Sequence, residues 1–142
     1  MSKIQHVHVT HDFASSPAEV FAVMGEHEDL GKIFPAKMRR VRDGDSERNG
    51  VGSVRSLKPF GLPPAFEETV TKSEPGRLIE YRISKGSPMT DHLGIIRFEP
   101  TAGGGTRLDY RIQFGSRIPG VARLVKAALQ ASLTKGLPKL VD

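Results

Sequence analysis

Residues 119–138 read PGVARLVKAALQASLTKGLP and differ in kind from the chain before them. Val121, Leu124, Val125, Ala128, Ser132 and Leu133 recur at the spacing that gathers side chains on one flank of a helix. Arg123, Lys126 and Lys135 fall off that stripe. Pro119 suits a helix start, and Gly136 and Pro138 suit its close. The spacing predicts one long amphipathic helix over 119–135.

Upstream the pattern changes. Residues 4–13, IQHVHVTHDF, alternate and are rich in β-branched side chains. They predict a strand with Val7, Val9 and Phe13 on one face and His6 and His8 on the other. In SSPAEVFAVM, Ser16 is an N-cap, Pro17 suits the first helical position and Glu19 completes a capping box. A short helix follows, and HEDLGKIF adds a turn before Pro35. From Lys37 to Phe114 no long helical pattern recurs. Strands are predicted at 37–43, 51–57, 66–73, 77–85, 93–100 and 106–115. The turn signals DGDSERNG, KPFGLPP, EPG, KGSP and TAGGG separate them.

A sheet with one apolar face needs a cover, and only the C-terminal helix is large enough. The expected fold is α+β, in a single domain over 1–142. A curved seven-stranded antiparallel sheet wraps a long C-terminal helix, with two short helices between strands 1 and 2. Such a wrap leaves a cavity between sheet and helix, and the small residues Ala128 and Ser132 enlarge it.

Strand parity nominates the lining. Phe66, Glu68 and Val70 share a face, as do Ile79, Tyr81 and Ile83, and Leu108, Tyr110, Ile112 and Phe114. These sets should face the helix. Strand 51–57 is ambiguous, with Arg55 and Leu57 on one face and Val54 and Ser56 on the other. Strand 93–99 is too, with Ile96 and Phe98 against Leu93 and Ile95. Glu68 stands out, because an inward carboxylate is costly unless paired or hydrogen-bonded. Arg55 is one candidate partner, and the hydroxyls of Tyr81 and Tyr110 are others. Glu68 then reads as a ligand anchor or acid/base group, or as a strand-end residue reaching solvent.

In a meander, alternate loops fall at the same end. The apolar loop KPFGLPPA at 58–65 therefore sits beside 85–92 and beside Gly115–Pro119, and the three would rim a cavity mouth. Phe60 and Leu62, on a stiff Pro63-Pro64 turn, would act there as a mobile gate or a fixed plug. His92 would stand at the rim, and Leu124 and Ala128 would line the helix side. The candidate ligand contacts are Arg55, Leu57, Leu62, Phe66, Glu68, Val70, Tyr81, Ile83, His92, Tyr110, Ile112, Phe114, Leu124 and Ala128.

Composition narrows the classes. The 142 residues include no Cys, so disulfides, Cys-ligated zinc and thiol nucleophiles are excluded. The net charge is +5 and the pI about 9.7. The basic residues are spread out, however, and Arg39, Arg40 and Arg42 precede the acids Asp43, Asp45 and Glu47. With few aromatics and no base-stacking motif, nucleic acid is not an expected partner. His6 and His8 lack an evident third metal ligand, Asp91-His92 lacks a placed nucleophile, and Gly103–Gly105 opens no helix that would cradle phosphate. Neither a metal nor a cofactor is expected. The N-terminus lacks a signal-peptide pattern and no run approaches a membrane span, so a cytoplasmic protein without stable membrane insertion is expected, as monomer or homodimer.

The order of elements resembles the helix-grip superfamily of birch-pollen-type allergens, START-like lipid-transfer domains and polyketide cyclase/dehydrase-like (SRPBCC) proteins. VTHDFASSPAEVFAVM resembles its first strand and helix, and GVGSVRSL its third strand. EPGRLIEYRI, GIIRFEP and GGTRLDYRIQF resemble its closing strands. GLPPA is similar to the gate loop of plant abscisic-acid receptors, although Phe60 and a second Pro depart from it. The resemblance implies a small hydrophobic ligand (lipid, aromatic or polyketide-like), carried or sensed. It equally accommodates a cyclase or dehydratase in which Glu68 or His92 moves a proton, or a domain whose ligand reshapes the mouth loops for a partner.

Overall fold

A computed structural model describes residues 4–140 apart from Pro35, Phe60, 62–64 and Pro88. The gate-or-plug expectation for Phe60, Leu62 and the Pro63-Pro64 turn therefore lies outside the described residues. Strand β1 (Gln5–Phe13) leads through α1 (Pro17–Gly25) and α2 (His27–Leu30) into β2 (Ala36–Arg42). A meander follows: β3 (Val54–Pro59), β4 (Phe66–Glu74), β5 (Leu78–Lys85), β6 (Met89–Pro100) and β7 (Thr106–Ser116). Helix α3 (Val121–Leu140) closes the chain. The strands form one antiparallel sheet in the order β1-β7-β6-β5-β4-β3-β2. Consecutive strands β1 and β2 thus occupy opposite edges, and α1 and α2 span the width between them.

Helix α1 starts as its sequence dictates. Ser16 Oγ accepts from the Glu19 amide at 3.3 Å, and Glu19 Oε1 accepts from the Ser16 amide at 3.4 Å. Val20 and Met24 are its buried residues. They join a core of Val7, Val9, Phe13, Ile79, Ile96, Phe98, Leu108 and Ile112 from the sheet and Leu133 and Leu137 from α3.

Helix α3 departs from its predicted frame in two ways. It runs through Gly136 and Pro138 instead of ending there. Gly136 is buried because a Cβ at that position would lie 2.5 Å from Ile33 Cβ, so the glycine permits a close approach rather than a stop. The buried stripe is also rotated. Ala122, Leu133, Gly136 and Leu137 are buried and Val125, Leu129 and Leu140 pack against the core, whereas Leu124 is 74% exposed. Leu124 therefore does not line the interior. A helix repeats every 3.6 residues, so stripes one step apart both satisfy the spacing, and only packing distinguishes them.

Helix α3 packs chiefly along β1. At the free edge of that strand, Gln130 Oε1 accepts from the His8 amide (3.3 Å) and Gln130 Nε2 donates to the His8 carbonyl (3.1 Å). Met89 pairs with Ser116, and a Cβ on Gly86 would touch the Ala65 carbonyl at 3.3 Å, so these described residues share one end of the sheet, as loop order requires.

Strand β6 begins four residues before its predicted start. Register shifts between Thr90 and Leu93, and Asp91 takes a positive φ of 53°. This bulge carries His92 from the anticipated rim onto a strand, where its side chain is 8% exposed. In the RRVR segment Arg39, Val41 and Arg42 are exposed, and Arg40 is the exception. Arg40, 14% exposed, donates to Glu26 (3.0 Å), Glu28 (3.3 Å) and the Arg48 carbonyl (3.0 Å), tying α1, α2 and β2 together.

Candidate functional site

Register places a polar cluster on the buried face of the sheet. Arg55 on β3 pairs with Glu68 on β4, Glu68 with Ile83 on β5, and Val70 with Tyr81. Burial resolves the ambiguity of β3: Ser53, Arg55 and Leu57 point inward. Glu68 is 7% exposed, so it does not reach solvent at a strand end.

Arg55 Nε donates to Glu68 Oε1 at 2.8 Å. Arg55 Nη2 lies 2.8 Å from the same oxygen but is not aligned for a hydrogen bond and has no partner among the described residues. Burial is the largest single influence and opposes the Arg55 charge, but Glu68 together with Tyr81 and Tyr110 holds the guanidinium above its ordinary pKa. The guanidinium carbon also stands 4.6 Å from the Tyr81 ring centroid, a cation–π contact. Tyr81 and Tyr110 share a short hydrogen bond between their hydroxyls. Burial raises both phenol pKa values, so each remains protonated at neutral pH.

Two histidines complete the cluster. Where the β5–β6 ladder stops after Tyr81 and Gly94, His92 Nδ1 accepts the Ile83 amide proton at 2.9 Å. An accepting Nδ1 places the ring proton on Nε2, 3.5 Å from Glu68 Oε2. Burial lowers the pKa of His92, against the pull of Glu68 and with help from Arg55 and Arg82. His27, in α2, is 1% exposed and sets Nδ1 3.4 Å from Arg55 Nη1. Burial first, then the charges of Arg55 and Arg40, lower its pKa to about 3. Its Nε2 has no partner among the described residues.

Gly94 makes the arrangement possible. A Cβ there would stand 2.2 Å from Tyr81 Cζ, so the ring lies flat over the strand only because residue 94 has no side chain.

The structure thus brings together Arg55, Glu68, Tyr81, His92 and Tyr110. Leu57, Val70, Ile112 and Phe114 are buried on the same face, and Phe66, Ile83 and Ala128 are half-buried. Leu62 lies outside the described residues, and Leu124 points to solvent. Sequence reasoning missed His27, because one histidine in the short segment HEDL carries no periodic signal. The surface histidine His8 instead pairs with Asp109 at 3.1 Å. An open groove of about 950 Å³ runs outside α3, lined by Gln5, Arg123, Lys126, Gln130 and Lys135 among others, and contains none of the predicted contacts.

Residues 5–142 match the family model described as polyketide cyclase / dehydrase and lipid transport. No curated protein matches the chain in sequence. Among solved structures, a START superfamily protein from Mycobacterium smegmatis is similar at a TM-score of 0.71 and 16% identity, covering 95% of this chain and 92% of that one. A norcoclaurine synthase point mutant from Thalictrum flavum is similar at 0.68 and 16%, covering 99% and 95%. An aromatase/cyclase from a Streptomyces species is similar at 0.66 and 20%, covering 92% and 85%. At these identities the likeness concerns the fold.

Proposed function

The chain belongs to the polyketide cyclase/dehydrase and lipid transport family, and from that premise we propose that it binds a small hydrophobic molecule as a carrier or sensor. The ligand lies between the sheet and α3, with the Arg55–Glu68 pair and the two tyrosines orienting its polar end. Apolar burial supplies the affinity, roughly 25 cal/mol per Å² before the costs of association.

One observation favours binding over catalysis. Both oxygens of Glu68 face internal partners, Arg55 and His92, and both ring nitrogens of His92 face Glu68 and the Ile83 amide. A general base needs a free lone pair within reach of the substrate proton. The basic nitrogen of His92 is spent on the Ile83 amide, and Glu68 is held between Arg55 and His92, an arrangement that fixes an anchor in place.

Among the described residues no helix is long and apolar enough to cross a membrane, which is compatible with a carrier that releases its cargo into solution. Native mass spectrometry of freshly purified protein tests the proposal. A co-purified apolar molecule, or saturable binding of apolar probes, is expected. A bare chain that also refuses every probe would refute it.

A further inference from the structure

We infer that the interior site selects an electrically neutral ligand bearing an acceptor oxygen, such as a ketone or ester, over a carboxylate or an amine of the same length. This rests on the ligand-binding reading above and names the chemistry of what is bound.

The first leg is the charge balance. Arg55 brings one positive charge and Glu68 one negative, in contact at 2.8 Å. His92 is a neutral ring, since its Nδ1 accepts the Ile83 amide proton. His27 is neutral on the same reasoning, with Nδ1 facing the Arg55 Nη1 donor at 3.4 Å. The phenols of Tyr81 and Tyr110 hold each other. The cluster therefore sums to zero. An entering carboxylate must share Arg55 with Glu68 or remain unpaired, and an ammonium must draw Glu68 away from Arg55. Either leaves an uncompensated charge out of water, which is strongly unfavourable.

The second leg is the balance of donors and acceptors. Nδ1 of each histidine and Oε1 of Glu68 already meet internal donors, and Glu68 Oε2 lies 3.5 Å from His92 Nε2. Among the described residues, the buried nitrogens without an aligned hydrogen bond are His27 Nε2 and Arg55 Nη2, the latter in ion-pair contact with Glu68 at 2.8 Å, and both are donors. The two phenols use one of their two hydrogens between them. These unanswered N–H and O–H groups are complemented by a lone pair on a neutral oxygen.

The test is displacement of Nile red, a neutral fluorescent probe, from the full-length protein at neutral pH. Methyl laurate, lauric acid and laurylamine share a chain length and differ in charge. Methyl laurate should displace the probe at a concentration at least about tenfold lower than the other two. Acid held by the basic groove outside α3 would leave the probe in place and so would not count. If acid or amine matches the ester, this inference is overturned while the carrier reading stands. If Nile red and all three lauryl compounds fail to bind, both fall. Glu68→Gln keeps an acceptor for Arg55 but removes the negative charge, so lauric acid should gain on methyl laurate by about tenfold, and an unchanged ratio overturns the inference. Should circular dichroism show that variant unfolded, Arg55→Gln gives the mirror case, in which laurylamine must gain instead.

Discussion

Replacing Gly94 by Ala tests whether the site is built around a missing side chain. The new Cβ would stand 2.2 Å from Tyr81 Cζ, 2.4 Å from Cε1 and 2.7 Å from Cε2. The ring cannot retreat freely, because its hydroxyl is bonded to Tyr110 and its face covers Arg55. Overpacking of this kind costs about 1–3 kcal/mol. Losing the Tyr81–Tyr110 hydrogen bond adds about 1 kcal/mol. Alanine in a strand recovers about 0.5–1 kcal/mol through lower chain entropy. The net expectation is a loss of about 2 kcal/mol, read by urea denaturation, with Tm lower by roughly 6 °C for a chain of this length. In a Tyr81→Leu background the same substitution should cost nothing, because the clashing ring is gone. A neutral or stabilising Gly94→Ala in the unaltered protein, or an equal cost in both backgrounds, would refute the reasoning.

Four further outcomes follow from the geometry. Glu68→Leu alone should cost about 3–5 kcal/mol by stranding Arg55, and Arg55→Met with Glu68→Leu should recover most of it in a denaturation-based double-mutant cycle. His27 has a folded pKa of about 3 against an ordinary 6.5, so its contribution is fully present above pH 6.5 and is lost as pH falls through that window towards 3. His27 alone should therefore lower stability by up to about 1.4 kcal/mol per pH unit between pH 6.5 and 4.5, where Glu26 (pKa lowered to about 2, mainly by its hydrogen bond with Glu28) does not yet titrate. His92 contributes with the same sign, so His27→Gln should flatten this slope in part, and an unchanged slope would count against a buried neutral His27. Leu124→Ser should change stability by less than about 0.5 kcal/mol, whereas Leu133→Ala should cost about 2–5 kcal/mol, and a cost at Leu124 matching that at Leu133 would restore the unrotated frame of α3.

What the sequence disclosed depended on how the information was written in it. Alternation settled which face of β4, β5 and β7 is buried, because Phe66, Val70, Tyr81, Tyr110 and Phe114 contrast with charged neighbours. Strand β3 was not legible, since Ser53, Arg55 and Leu57 are no more apolar than Gly52, Val54 and Ser56. Its inward face depends on the cross-strand pairing of Arg55 with Glu68, a contact between segments. His92 was misplaced because Asp91-His92 after Ser-Pro has the composition of a loop, whereas a bulge keeps it in the strand. Gly136 reads locally as a helix terminator, but its packing meaning differs, and only Ile33 across the interface decides between them. The expected anchor could thus be nominated at Glu68 from parity, while its second histidine, His27, came into view only through tertiary contact.

The bracket between Gln130 and His8 has a consequence for the behaviour of the chain in company. Strand β1 ends the sheet, and an unpaired edge is a template on which another chain can add a strand. At His8 both main-chain groups that would recruit a newcomer are already answered by a single side-chain amide. The helix thereby acts as a false eighth strand one residue long. It occupies one position of that edge at which an incoming strand would otherwise bond.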